Sequence, residues 1–497
     1  MKAIAAFALA AGLIPASSAL HLVQRNTPNV VGLQTYRKAV QNPVKGDAIR
    51  RRQTVTESLD NEGTLYFANV SLGTPAQSLR LHMDTGSSDL WANAKSSQIC
   101  SYRGDPCSKS GTYDANSSST YKFVSNDFNV SYVDGSGASG DYATDILGIG
   151  GKTLKGLQFG IGYESTSPEG ILGIGYTAAE AQVNRAGQRG YSNVPQAMAD
   201  GGLIQSNAYS LWLDDLEAST GSILFGGVDT NKYHGQLQTL PIQKAFDAYA
   251  EFIVTLSSMS LSNQGKNTSL ATDLPTAVIL DSGSSLTYLP NDLTSAIYAM
   301  LHVNYNSKEG AAYASCSLAN EDITLEFTFT SPTIPVPIRE LIINGNTSDS
   351  KGKQDPGSQD GGSSSNLGSG NEQCIFGIAP SEGSTAVLGD TFLRSAYVVY
   401  DLANNEISLA QTDFNATDSH VLEIGTGTAS VPGATSVVSA IQAQVSQTGG
   451  ARIAAVSGTG TGSLGPTSTG GSGAFSTHVS YGGLALAVGA TLALVCA

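Results

Sequence analysis

Two stretches far apart in the chain have nearly the same wording. LHMDTGSSDLW occupies residues 81–91, and VILDSGSSLTYLP occupies residues 278–290. In each, an apolar run ends in an aspartate, Asp84 or Asp281, followed by a hydroxyl residue, a glycine and a serine. A lone phrase of this kind reads as a β-turn, for which Asp, Ser and Gly are ordinary residues. Two copies in matching settings read differently. Each is followed downstream by a second phrase, EGILGIGY at 169–176 and TAVLGDTFL at 385–393, in which an apolar run ends in glycine. The same two phrases in the same order, twice, indicate two related halves that can build one site between them. The period is far too long for a solenoid.

The intervening texture is β. Short runs rich in Val, Ile, Tyr, Phe and Thr alternate with Gly, Asn, Asp and Ser. LYFANVSLG (65–73), KFVSNDFNVSYVDG (122–135), EFIVTLSSMSL (251–261) and SAYVVYDLANNEISLAQ (395–411) are examples. Helical periodicity is confined to VPQAMADGGLI (194–204) and NDLTSAIYAMLHV (291–303). A chain of 497 residues can bury large cores in two or three compact units. Its formal net charge of −15 speaks against a nucleic-acid partner.

The ends read as targeting and processing segments. Residues 1–19, with Lys2, an apolar run and small residues, read as a secretory signal peptide. Residues 20–52 form a basic propeptide ending in Arg50-Arg51-Arg52, a site for a proprotein-processing protease at Arg51-Arg52. Residues 350–373 are a low-complexity insertion that cannot bury enough apolar surface to order itself. Residues 416–474 read as a Ser/Thr/Gly-rich stalk, and 475–497 as a removed GPI-attachment signal with Ser472 as the attachment candidate. That arrangement implies a secretory route to the cell surface, with an anchor in the plasma membrane or transfer to the wall. Six N-x-[ST] sequons stand at Asn69, Asn116, Asn129, Asn267, Asn346 and Asn415. Of five cysteines, Cys496 lies in the terminal segment. Local closure favours Cys100–Cys107 and Cys316–Cys374 among the three pairings the others allow. Their spacings do not fit a tetrahedral zinc site.

In its phrases LHMDTGSSDLW, SYVDGSG (131–137), EGILGIGY, VILDSGSSLTYLP and VLGDTFLR (387–394), the chain resembles the pepsin-like aspartic proteases over roughly residues 62–412. The leader, stalk and tail further resemble the fungal GPI-anchored, yapsin-like group. The resemblance implies a mostly β, bilobal fold with a central active-site cleft. Its N-terminal lobe would span 53–240, with Asp84 and the flap, and its C-terminal lobe 241–415, with Asp281. It implies a monomeric aspartic endopeptidase acting on protein or peptide substrates, without metal or cofactor.

The resemblance also implies roles residue by residue. Asp84 and Asp281 would share a water at the cleft floor. Gly86 and Gly283 would allow close backbone approach, and Thr85 and Ser282 would bond across to the opposite loop. Ser87 and Ser284 would hold the outer carboxylate oxygens. Two carboxylates about 3 Å apart repel by about 5 kcal/mol at an effective dielectric near 20, enough to keep one proton on a pair, as is established for this enzyme class. SYVDGSGASGDY (131–142) would be the flap, with Gly135 at its tip and Tyr132 bonding towards Trp91. Asp134 would favour a basic residue on the N-terminal side of the cleaved bond. In the propeptide, Lys38 or Lys45 would meet the aspartate pair. The rival reading is a catalytically silent surface glycoprotein of the same fold; both intact aspartate phrases weigh against it. A glycosidase with paired carboxylates does not account for the duplication.

Overall fold

A computed structural model describes residues 28–38, 65–132, 136–218, 220–245, 247–343 and 372–445. Strands dominate, as the texture predicts. A single sheet of 14 strands runs through both halves. From one edge its order is Thr435–Ser436, Tyr233–Pro241, Glu406–Thr412, Ala396–Asp401, Ala208–Trp212 and Thr220–Phe225. It continues through Val31–Lys38, Leu65–Leu72, Gln77–Asp84, Ile171–Gly173, Leu90–Asn93, Lys152–Ser165 and Gly137–Ile149 to Lys122–Ser131. Three smaller sheets complete the second half, and a two-stranded pair joins Gly227–Asp229 to Val421–Glu423.

Burial explains which runs became which strands. Leu65–Leu72 is enclosed along nearly its whole length and is apolar almost throughout. Ile323–Thr328 alternates buried Ile323, Leu325 and Phe327 with Thr and Glu, the pattern of a strand with one covered face. The two helical readings hold in shortened form. Val194–Asp200 starts at Asn193, whose side chain accepts from Gln196 N, has Pro195 in its first turn, and stops before Gly201-Gly202. Asn291–Leu301 buries Leu293, Ile297 and Leu301, four residues apart on one face.

Two boundaries differ from the sequence reading. Within the stretch read as propeptide, Val31–Lys38 is an interior strand of the large sheet, paired on one side with Thr220–Phe225 and on the other with Leu65–Leu72. Its Val31, Leu33 and Thr35 point inward, an alternation that the surrounding basic residues concealed. The stalk read from 416 is a correction as well, because residues 421–445 pack on the body. Ile424 and Val431 are buried, Val437 N donates to Thr239 O (2.9 Å), and Ala443 N donates to Thr255 Oγ1 (2.9 Å). The Gly/Ser-rich composition hid the few apolar side chains that do this. The signal segment, Lys45, Arg51-Arg52, Asp134, Gly135, Asn346, Ser472, the GPI-attachment segment and nearly all of the 350–373 insertion lie outside the described residues.

Candidate active site

Each aspartate phrase folds in the same way. The strand Gln77–Asp84 runs parallel to Ile171–Gly173, with Asp84 opposite Gly173, and Leu90–Asn93 lies antiparallel on the other side of that short strand. In the second half, Thr276–Leu280 runs parallel to Ala386–Leu388, and Thr287–Leu289 lies antiparallel to it. The glycine phrase thus inserts as a wedge between the chain entering the aspartate turn and the chain leaving it. The glycines are required by this close approach. A Cβ on Gly173 would stand 2.6 Å from Asp89 N, and one on Gly389 would stand 2.3 Å from the carbonyl oxygens of Ser284 and Leu286.

The two turns meet tip to tip and lock by exchange. Thr85 N donates to Ser282 Oγ (3.2 Å), and Ser282 N donates to Thr85 Oγ1 (2.9 Å). Thr85 Oγ1 in turn donates to Leu280 O (3.1 Å), and Ser282 Oγ donates to Met83 O (3.1 Å). Each hydroxyl therefore accepts from one backbone amide and donates to one carbonyl of the opposite half. All four groups are buried, where an unmade bond costs about 1–3 kcal/mol, so the network fixes one half against the other.

The carboxylates sit on this platform, each 2% exposed. Gly86 N donates to Asp84 Oδ1 (2.8 Å) and Gly283 N to Asp281 Oδ1 (2.9 Å). Ser87 Oγ donates to Asp84 Oδ2, and Ser284 Oγ to Asp281 Oδ2 (2.8 Å). A Cβ built on Gly283 would lie 2.3 Å from Asp84 Oδ1 and 3.1 Å from Asp281 Oδ1. Two acids 197 residues apart in the chain therefore hold their inner oxygens around one small space. The sequence-predicted Asp84, Thr85, Gly86, Ser87, Asp281, Ser282, Gly283 and Ser284 are all brought together here. No group of three or more His, Cys, Asp or Glu among the described residues is placed to hold a metal ion.

The flap is the hairpin Lys122–Ser131 and Gly137–Ile149. Tyr132 N donates to Ser136 O (2.8 Å) at its end, and Trp91 Nε1 donates to Tyr132 OH (2.8 Å), the bond expected. Trp91, Phe128, Val130, Ala138 and Tyr142 form a separate apolar cluster beneath it. A pocket beside the Asp84 turn is walled by Gly86, Ser87, Val130, Tyr132, Ala181 and Glu251. Glu251 comes from Ala248–Leu256 of the second half and carried no sequence signal.

A buried network that the sequence did not announce supports the first turn. Asp89, the residue after DTGSS, accepts from Tyr142 OH (3.1 Å), Tyr191 OH (2.9 Å) and Ala181 N (2.8 Å). Burial pushes its carboxyl above the usual range, against these three donors. Glu180, 0% exposed, accepts from Tyr191 N (2.9 Å), and burial pushes its carboxyl up to about 9. The signal available was only the acidity of Asp89 directly after the phrase; its partners lie up to 102 residues away.

The expected disulfides are both formed, Cys100–Cys107 and Cys316–Cys374. Of the sequons, Asn69, Asn116, Asn267 and Asn415 are at the surface, and Asn129 is half-buried on the flap strand beside the pocket. The Asn415 amide also donates to Asp215 Oδ2 (2.6 Å).

The eukaryotic aspartyl protease family profile matches residues 65–354 and 362–412. A protein of Aspergillus oryzae named probable aspartic-type endopeptidase opsB is 55% identical over 446 residues, which is 89% of this chain and 88% of that one. Its Aspergillus fumigatus namesake is 53% identical, over 90% and 89% of the two chains. Secreted aspartic protease 8 of Candida albicans is 36% identical over 74% of this chain and 81% of its own. The crystal structure of an aspartic proteinase from Irpex lacteus, 23% identical, shares the fold with a TM-score of 0.56, covering 79% of this chain and 99% of that one. The chain belongs to the eukaryotic aspartyl protease family, with its mostly β bilobal pepsin-like fold, and is an aspartic-type endopeptidase.

Proposed function

We propose that Asp84 and Asp281 hydrolyse peptide bonds in mild acid by activating a water held between their inner oxygens. The ionised member takes a proton from the water as it attacks the peptide carbonyl, and the protonated member gives a proton to the carbonyl oxygen. A tetrahedral diol forms, with no covalent enzyme intermediate. Its collapse protonates the leaving amine and returns the pair to its starting state. The two acids titrate as a unit, so the proton belongs to the pair. Ser87 and Ser284 orient the outer oxygens, and the glycine amides hold the inner ones. The observation that carries this reading is the single space flanked by Asp84 Oδ1 and Asp281 Oδ1. General acid–base action supplies about 10²- to 10⁴-fold, and positioning under the flap supplies more.

The finer reading is a secreted zymogen that reaches the cell surface on a GPI anchor, after removal of residues 1–19 and cleavage at Arg51-Arg52 by a processing protease. Asp134, in an acidic body, gives a preference for Lys or Arg on the N-terminal side of the cleaved bond. The net charge of −15 supports this, as does the place of Asp134 between Tyr132 and Ser136. The test is peptide hydrolysis by the purified protein at several acid pH values. Replacing either aspartate, Asp84→Asn or Asp281→Asn, lowers kcat about 10²- to 10⁴-fold. Replacing Asp134→Ser lowers the Lys-to-Leu cleavage ratio and leaves hydrolysis of the Leu substrate in place. An unchanged ratio sinks the specificity claim alone; retained activity in either Asn variant sinks the mechanism.

A further inference from the structure

The small disulfide loop on the first half joins sequence, backbone and charge in one surface feature. Cys100 and Cys107 stand 5.1 Å apart at Cα and close the segment Ser-Tyr-Arg-Gly-Asp-Pro. Ile99 and Cys107 bury the base of the loop, while residues 101–105 face solvent, Tyr102 being 51% exposed. Asp105 N donates to Tyr102 O (3.1 Å), closing a turn whose third residue is Gly104. Gly104 has φ +101°, the left-handed conformation a type II turn demands there. A Cβ at this position would meet nothing within 4 Å, so the glycine serves the backbone and leaves open space above it. The next residue, Asp105, is left-handed too (φ 49°), and its carbonyl accepts from Ser108 N (3.1 Å) and Ser108 Oγ (2.7 Å).

The backbone on both sides of the tip is therefore pinned, but the two charged side chains are not. The carboxylate of Asp105 does not cap the short helix that follows it. Among the described residues no hydrogen bond, ion pair or ring contact engages the side chain of Arg103 or of Asp105. A guanidinium and a carboxylate, one glycine apart, thus project from a closed loop, and among the described residues neither is neutralised by the other or by a neighbour.

We propose that Arg103-Gly104-Asp105 is a docking element for a receptor that reads the two charges together. An acidic pocket in the receptor takes the Arg103 guanidinium through paired charge-assisted bonds. A divalent cation held by the receptor takes the Asp105 carboxylate, an oxygen ligand suited to hard cations. This is the recognition chemistry of integrin-type adhesion receptors that bind Arg-Gly-Asp. Gly104 lets the receptor surface approach the backbone between the charges, and the disulfide lowers the cost of ordering the loop on binding. The role is independent of peptide hydrolysis, because the loop contributes no residue to the aspartate platform.

The test is binding of the intact protein, immobilised on a sensor surface, to a purified Arg-Gly-Asp-binding integrin ectodomain in buffer containing manganese. Expected is saturable binding that EDTA removes and a soluble cyclic Arg-Gly-Asp peptide displaces. Asp105→Ala weakens it by about a hundredfold, the loss of one partner in a desolvated charge pair. Asp105→Glu, which keeps the charge and shifts it by one methylene, weakens it by about tenfold or more. Peptide hydrolysis by both variants stays at the level of the parent, showing that they fold. Absence of binding by the parent protein overturns the proposal, as does binding that survives EDTA or either Asp105 substitution.

Discussion

The turn at Asp84 and the turn at Asp281 are near copies at the backbone, yet different chemistry supports each from below. The first rests on Asp89, Tyr142, Tyr191 and Glu180, a network of carboxyls and tyrosines in which burial favours the protonated acids. The second rests on an ion pair. Downstream of the second glycine phrase the chain turns into the helix Asp390–Leu393, which delivers Arg394 to Glu340. Arg394 is 0% exposed; its Nε donates to Glu340 Oε2 (2.9 Å) and its Nη2 to Glu340 O (2.5 Å). Burial works against the guanidinium's charge, but Glu340, Tyr66 and Asp390 together outweigh burial and hold its pKa above the usual value. Duplication preserved the geometry that touches the reaction and let the foundations diverge. The first foundation is tuned to acid and the second is built on a buried ion pair.

That contrast can be broken most forcefully at the ion pair. Arg394→Met removes the buried partner of Glu340 and leaves it only the exposed Arg339 at 3.6 Å, and should destabilise the protein by about 3 kcal/mol, read by denaturant unfolding. The double replacement Arg394→Met with Glu340→Leu should recover much of that loss, since apolar groups of similar volume often replace buried pairs at little cost.

A smaller effect, and one of opposite character, belongs to the first half. Glu180 is protonated in both the folded and the unfolded state below its ordinary value of 4.5. Between there and about 9 the unfolded chain ionises while the folded one holds its proton, so stability falls as pH rises through that window. Glu180→Gln, neutral throughout, should flatten this decline. Thermal unfolding of the two proteins should agree near pH 4 and separate progressively towards neutrality, with the variant the more stable.

The smallest effect sharpens the comparison at the contact between the halves. Thr85 and Ser282 play the same part with side chains that differ by one methyl. Thr85→Ser keeps both cross-bonds and should cost about 0.8 kcal/mol, the value of one buried methyl. Thr85→Ala, which strands Ser282 N, should cost about 1–3 kcal/mol.

The sequence made the reacting centre legible because its residues are local to two repeated phrases. Asp84 and Ser87, like Asp281 and Ser284, are three positions apart within each turn, Trp91 closes the first phrase, and Tyr132 sits in a phrase of its own. The supports were not legible because their partners are brought together only by the folded sheet. Glu340 and Arg394 are 54 residues apart, and nothing around either announces the other. Similarly, the inward Val31, Leu33 and Thr35 were masked by the basic residues near them, and the packing of 421–445 by a glycine- and serine-rich composition. The boundary read at 240/241 also misses that Ala396–Asp401 pairs with Ala208–Trp212, so that one sheet serves both halves.

The central claim is that one aspartate from each half acts on a single water. Calorimetric titration in mild acid, with a peptide whose cleavable bond is replaced by a hydroxyl-bearing methylene group, tests it most directly. The hydroxyl takes the place of the water between the two inner oxygens. One inhibitor should bind per chain, and Asp84→Asn and Asp281→Asn should each weaken it, alone, by about a hundredfold or more. Tight binding that persists in either single variant would contradict a shared site.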